Sequence, residues 1–124
     1  MNVLGVIADE LTKIGVPYAF MEWTADVQYP YFVGEYSETV TASEDGYKEA
    51  TLLLTGTTNG TWMELEQIRA KVESHFPRAY GLRMSTDNGC VAIFYANTIP
   101  VPTGVADLKR IQINLDVKEW RDNA

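Results

Sequence analysis

Apolar residues recur along this chain at two different periods, and the changes of period divide it into eight elements. Residues 2–14 place Leu4, Ile7, Leu11 and Ile14 at helical spacing, with Asp9 and Lys13 four apart on another face. Gly15 and Pro17 end that helix, Gly15 as a left-handed cap and Pro17 as a residue unable to continue it. Residues 16–23 read as an aromatic-rich strand, and residues 24–28 connect it to the next run, Tyr29-Pro30-Tyr31-Phe32-Val33-Gly34-Glu35-Tyr36. A polar segment ending Ser43-Glu44-Asp45-Gly46 leads into a second extended run, residues 47–54. Asp-Gly between two such runs predicts a hairpin, because glycine adopts the positive φ of a tight turn without penalty. The tip, residues 38–45, is polar and acidic, while the base carries Phe32, Val33, Tyr36 and Leu52 to Leu54. That gradient predicts a hairpin that leaves the body of the domain.

The period then returns to that of a helix. Thr61 and Glu64 have the spacing of a capping box, in which each side chain satisfies a backbone N–H of the first turn. Trp62, Leu65, Ile68, Val72 and Phe76 form the expected buried stripe, Glu64 and Glu66 suit the helix dipole, and Pro77 stops the helix. Tyr80, Leu82 and Met84 alternate with Gly81, Arg83 and Ser85 as a half-buried strand, and Asp87-Asn88-Gly89 turns it into a second hairpin. The return arm, residues 90–96, is continuously apolar, so it is expected at the centre with both faces covered. Pro100, Pro102 and Gly104 make residues 99–105 a loop. The last strand alternates Ile111, Ile113, Leu115 and Val117 with Gln112, Asn114, Asp116 and Lys118. The order α-β-β-β-α-β-β-β predicts an α+β domain: a mainly antiparallel sheet, two helices on one face and a protruding hairpin.

At 124 residues the chain is read as a single domain spanning 1–124. A formal charge of -7 argues against a general nucleic-acid binder, which neutralises phosphates with clustered Lys and Arg. A lone cysteine, Cys90, allows no internal disulfide and suits a reducing compartment. No window approaches the roughly 20 apolar residues of a spanning helix. Asp9 and Glu10 interrupt the N-terminal apolar run, so no secretory signal and no membrane partner are expected.

Candidate chemistry is sparse. The sole histidine, His75, falls in the last turn of the second helix, where a cation is favoured by the dipole; that reading outweighs a catalytic one. One His and one Cys cannot build a zinc site, and no HExxH, CxxC, nucleophile elbow, P-loop or dinucleotide fingerprint occurs. Cys90 lies in an apolar strand, where a thiol is expected to be inert packing. Asn59-Gly60-Thr61 reads as a turn plus helix cap rather than a glycosylation acceptor. The expectation is therefore no catalytic residue, no metal and no cofactor. An assembly surface is expected instead, formed by the hairpin and its aromatics: Tyr29, Tyr31, Glu35, Tyr36, Glu38, Glu44, Asp45, Tyr47 and Lys48.

The short N-terminal helix, the Tyr29-Pro30-Tyr31-Phe32-Val33 entry, the charged hairpin, the Leu52-Leu53-Leu54 strand and the Thr61-Trp62-Met63-Glu64 helix start resemble bacteriophage tail terminator, or tail-completion, proteins. This resemblance implies an α+β subunit forming a ring homo-oligomer, typically a hexamer, on the head-proximal end of the tail tube. It implies tail tube and head-completion (connector) proteins as partners, DNA only as passing cargo, and no catalytic residues. It places the protein in the virion at the tail–head junction, after synthesis in the host bacterial cytoplasm. The rival expectations are another phage neck or head-completion protein, a small cytoplasmic enzyme using carboxylates, and a monomeric binding module.

Overall fold

The computed structural model describes residues 2–21, 28–39, 47–87 and 89–121. Eight elements follow one another: α1 (Val3–Lys13), β1 (Tyr18–Phe20), β2 (Tyr31–Thr39), β3 (Tyr47–Thr58), α2 (Trp62–His75), β4 (Leu82–Thr86), β5 (Gly89–Val101) and β6 (Lys109–Arg121). The six strands form one sheet in the order β1-β2-β3-β6-β5-β4, antiparallel throughout except where β1 runs parallel to β2. This is the α+β order expected from the periodicity.

Register determines which residues share a face. Leu52 lies opposite Tyr36 and Leu115, Leu54 opposite Gly34 and Ile113, and Ile93 opposite Leu82 and Val117. Those residues, with Phe32 and Val91, line one face, and α1 (Val3, Val6, Ile7, Leu11) and α2 (Leu65, Val72, Phe76) pack on it. Both helices therefore lie on the same side. Gly56 sits directly under the Phe32 ring, so that any Cβ at this position would run into it.

The helices keep their expected limits through their caps. Asn2 Oδ1 accepts the Gly5 N–H at 2.8 Å at the start of α1. At its end Gly15 adopts φ +81, its N–H donates to Thr12 O, and the Val16 N–H donates to Leu11 O, the paired bonds of a Schellman ending. Thr61 Oγ1 accepts the Glu64 N–H at 3.3 Å, the forward half of the expected box. The return half is replaced: the Glu64 carboxylate accepts the hydroxyl of Thr58, which is fully buried at the end of β3.

Several expectations are corrected. Lys13 pairs with Glu10 (2.8 Å) rather than with Asp9, and Val3 and Val6, not Leu4, complete the buried stripe of α1. The strand expected at 16–23 is only Tyr18–Phe20; Met21 takes φ 68, and residues 22 and 23 lie outside the described residues. Residues 99–101 belong to β5 rather than to a loop. There β5 has outrun β4, so Pro100 sits on an edge where a missing N–H breaks no ladder. One extra residue, Ala96, shifts the β5–β6 register just before this stretch. Nor is β5 covered on both faces: Cys90 is exposed, opposite Trp120, and among the described residues no helix lies on the second face. Tyr80 lies outside β4 and is exposed.

The hairpin is β2–β3. Its arms are integral to the sheet, since β6 pairs with β3 from Tyr47↔Trp120 to Thr58↔Lys109. Of the expected tip, residues 38–45, Glu38 and Thr39 belong to β2, and residues 40–45 lie outside the described residues. A two-residue turn at Asp45-Gly46 would by itself set Ala42 opposite Glu49; the observed partner is Thr39.

Glu10, which sequence reasoning did not single out, joins the two helices. It is 3% exposed, and its carboxylate lies 2.8 Å from Lys13 Nζ and 2.9 Å from His75 Nε2. The Lys13 hydrogen bond is the main cause holding its carboxyl below the usual range; burial opposes it, and His75 adds to the lowering. A carboxyl lowered on folding stabilises the fold above its unfolded value and loses that contribution as pH falls through the folded value. Glu10→Gln should cost about 1–2 kcal/mol at pH 7, and the gap from wild type should narrow towards pH 3. Urea unfolding at both pH values checks this; a constant gap would remove Glu10 from the acid response. Thr61→Ala should cost about 1 kcal/mol by loss of the α2 cap, read from the denaturation midpoint.

Candidate assembly surface

The residues expected to form one interface are divided by the fold. Tyr29 and Tyr31 meet with ring centroids 5.7 Å apart at the start of β2, where Tyr31 is opposite Thr57. Tyr47 is at the far end of the sheet, ten residues along β3 from Thr57, or roughly 33 Å at strand rise. There its ring stacks on its cross-strand partner Trp120 at 5.5 Å, and Lys118 Nζ sits 5.4 Å from the Tyr47 ring and 5.7 Å from the Phe94 ring. These residues lie on the sheet face without helices. Tyr36 is on the opposite face and packs against the core. Glu35 is exposed on the helix-free face; Glu38 and Lys48 are exposed with the helix-side parity. Glu44 and Asp45 lie outside the described residues.

The helix-free face has its own pattern. Asn97, Gln112 and Asn114 link across β5 and β6: Asn114 Nδ2 donates to Asn97 Oδ1 at 2.6 Å and Gln112 Nε2 to Asn114 Oδ1 at 3.4 Å. Arg110 Nε donates to Thr57 Oγ1 at 3.1 Å. Over this part of the face, amide and hydroxyl groups satisfy one another, while Ile99 beside them is exposed.

The helix-bearing face is open at one corner. Between the first turns of α2 and the end of β5 runs a cleft of ≈ 570 Å³, lined by Trp62, Met63, Arg69, Tyr95, Pro100 and Ile111. Trp62 was expected in the buried stripe, but it is 49% exposed, and neighbouring Met63 is 62% exposed. The first turn of α2 overhangs the core, which begins at Leu65. Polar groups mark the cleft floor. Arg69 makes a two-pronged bond to Glu66, a 2.6 Å bond to Glu73 and a longer 3.5 Å bond to the Tyr95 hydroxyl. Tyr95 Oη lies 2.6 Å from Thr98 Oγ1. Glu66 is held below the usual carboxyl range chiefly by its Arg69 hydrogen bond. The sequence signal for this cleft was the adjacent pair Trp62-Met63, since two bulky neighbours on a helix cannot both face one core.

Arg69 is paired with the Glu66 and Glu73 carboxylates, and His75 with Glu10. Among the described residues no group of three His, Cys, Asp or Glu is placed to hold a metal ion, and no helix is long and apolar enough to cross a membrane. Trp62→Ser should change folding stability by less than about 0.5 kcal/mol, as for an exposed site; a loss of 3 kcal/mol in chemical denaturation would place Trp62 in the core. Set beside known proteins, the chain matches no family model and no curated protein.

Proposed function

We propose that this chain is a ring-forming structural subunit of the phage tail terminator kind, capping the tail tube and joining it to the head-completion complex. The observation that carries the reading is the unfinished sheet. Among the described residues, a six-stranded sheet covered on one face leaves β2 and β5 flanked over only part of their length, and a cleft with exposed Trp62 and Met63 opens beside β5. Element order and the Tyr29–Val33 entry support the family assignment. A tube is an open heterologous polymer, so its terminator must match a tube ring on one side and refuse one on the other. The acidic balance fits a channel through which DNA slides without adhering.

A second reading, a binding module acting as a monomer, draws on the same cleft, whose size is that of a small-ligand site. Deleting the gene in the phage or prophage that carries it should give tails of uncontrolled length and heads without tails, seen by negative-stain microscopy. Tails of normal length joined to heads would sink the terminator reading. A purified protein that stays monomeric even with tail tubes would favour the binding module.

A further inference from the structure

The two half-covered edges carry matching groups. β1 pairs only with Phe32, Val33 and Gly34, so among the described residues no strand flanks 35–39 on that side. The Phe32 N–H donates to Pro17 O and Gly34 O accepts the Met21 N–H, so the even-numbered residues of β2 present their backbone groups outward. By that alternation the N–H and C=O of Glu38 also point away from β3. On the far side β4 reaches only Ile93 of β5. The Tyr95 N–H points outward, to Phe76 O, so the Tyr95↔Leu115 pair is the non-hydrogen-bonded kind. Thr98↔Ile113 and Pro100↔Ile111 have the same parity on β6 and are of that kind too. Thr98 therefore presents both an N–H and a C=O to the outside, and Pro100, with no N–H to offer, presents a C=O.

We propose that these edges join head to tail between copies of this chain, the β2 end of one adding antiparallel to the β5 end of the next, with Glu38 opposite Thr98. This deepens the ring reading above and rests on it. In that register Glu38 and Thr98 exchange two backbone hydrogen bonds. Moving the strand by two, to Tyr36 opposite Thr98, would bring Pro100 against Gly34, where β1 already lies. Charge agrees with the choice. Glu38 has helix-side parity, and Thr98 is one hydroxyl contact from Tyr95, whose own hydroxyl touches Arg69. Arg69 can exchange Glu66 or Glu73, both substantially exposed, for the incoming carboxylate. The two edges differ, so the contact is heterologous and builds a ring or a filament rather than a closed dimer. Glu38 is level with Val117 and Thr98 with Ile113, a stagger of about 13 Å over the four strand spacings, about 19 Å, from one joint to the next. Strands then lean about 34° from the axis of a closed ring.

Glu38→Pro removes the outward N–H of β2 without touching its bonds to β3, and Thr98→Pro does the same for β5. At concentrations where wild type forms rings, each folded variant alone should be monomeric by native mass spectrometry. Mixed, they should form a 1:1 dimer and nothing larger, because each retains the edge the other lacks. Glu38→Lys keeps the N–H but opposes Arg69, and should raise the concentration for half-assembly at least about tenfold; it serves if a proline variant fails to fold by circular dichroism. Rings persisting in both folded proline variants, a mixture that stays monomeric, or unchanged assembly of Glu38→Lys would overturn the edge pairing and leave the ring reading standing. Wild type monomeric at every concentration, tail tubes included, would overturn both.

Discussion

The pairing of β3 with β6, from Tyr47↔Trp120 to Thr58↔Lys109, is the constraint to which the other elements answer. A strand has a side-chain period of two, so this single register decides every residue that either strand sends to each face. It aligns Ala50, Leu52 and Leu54 with Val117, Leu115 and Ile113, producing a continuous apolar strip through the middle of the sheet. A slip of β3 by one residue would put Leu53 and Thr55 under the helices and turn Leu52 and Leu54 to the other face. The helices are placed by this strip, and their caps set where they start and stop along it.

A strip on one face needs only one layer of helices, and that choice shapes the remaining surface. Two helices of 11 and 14 residues cannot roof six strands, three of which run 12 or 13 residues. The shortfall appears at the corner where β5 and β6 run past the first turn of α2. The opposite face is left to keep itself stable in water. It does so with side chains that satisfy one another, the Asn97–Asn114–Gln112 link near its middle and Lys118 held between the Tyr47 and Phe94 rings. Each contact is worth little alone, but together they satisfy polar groups and cover part of the Tyr47 and Phe94 rings.

Much of this was legible in the sequence where period and punctuation agreed. Ile111 to Val117 alternates strictly and is a central strand; Gly15 before Pro17, and Thr61 three residues before Glu64, mark helix ends that the structure keeps. The errors share a cause: they fall where tertiary position overrides a local rule. Pro100 looked like a loop residue, but β5 is an edge at that point and its N–H was not needed. Cys90 looked buried within an apolar run, yet only alternate residues of that run face the core. Trp62 has the spacing of the buried stripe, but spacing does not reveal that the helix overhangs the sheet. The residues expected to form one interface are spread over the sheet for a geometric reason. Closeness in a hairpin sequence does not survive strands this long, and Tyr31 and Tyr36 differ in parity. Glu10 carried no sequence signal at all, since a carboxylate on an amphipathic helix is ordinarily solvated.

Edges decide whether such a sheet stays a single molecule. A long uncovered strand recruits others indiscriminately, and proteins blunt it with proline, charge or a bulge. The outer end of β5 has two of these within five residues, the Ala96 bulge and Pro100, and the end of β2 carries Glu35 and Glu38. Blunting of this kind leaves something usable behind. An edge reduced to one donor at Thr98, beside a cleft holding Arg69, is too poor to pair with an arbitrary strand. It suits one that brings a carboxylate at the matching position. Selectivity then comes from what the edge lacks as much as from what it offers. In the ring proposed for this chain, a subunit that adds to a fixed number of neighbours and then stops would gain from edges that are weak alone and sufficient when several close together.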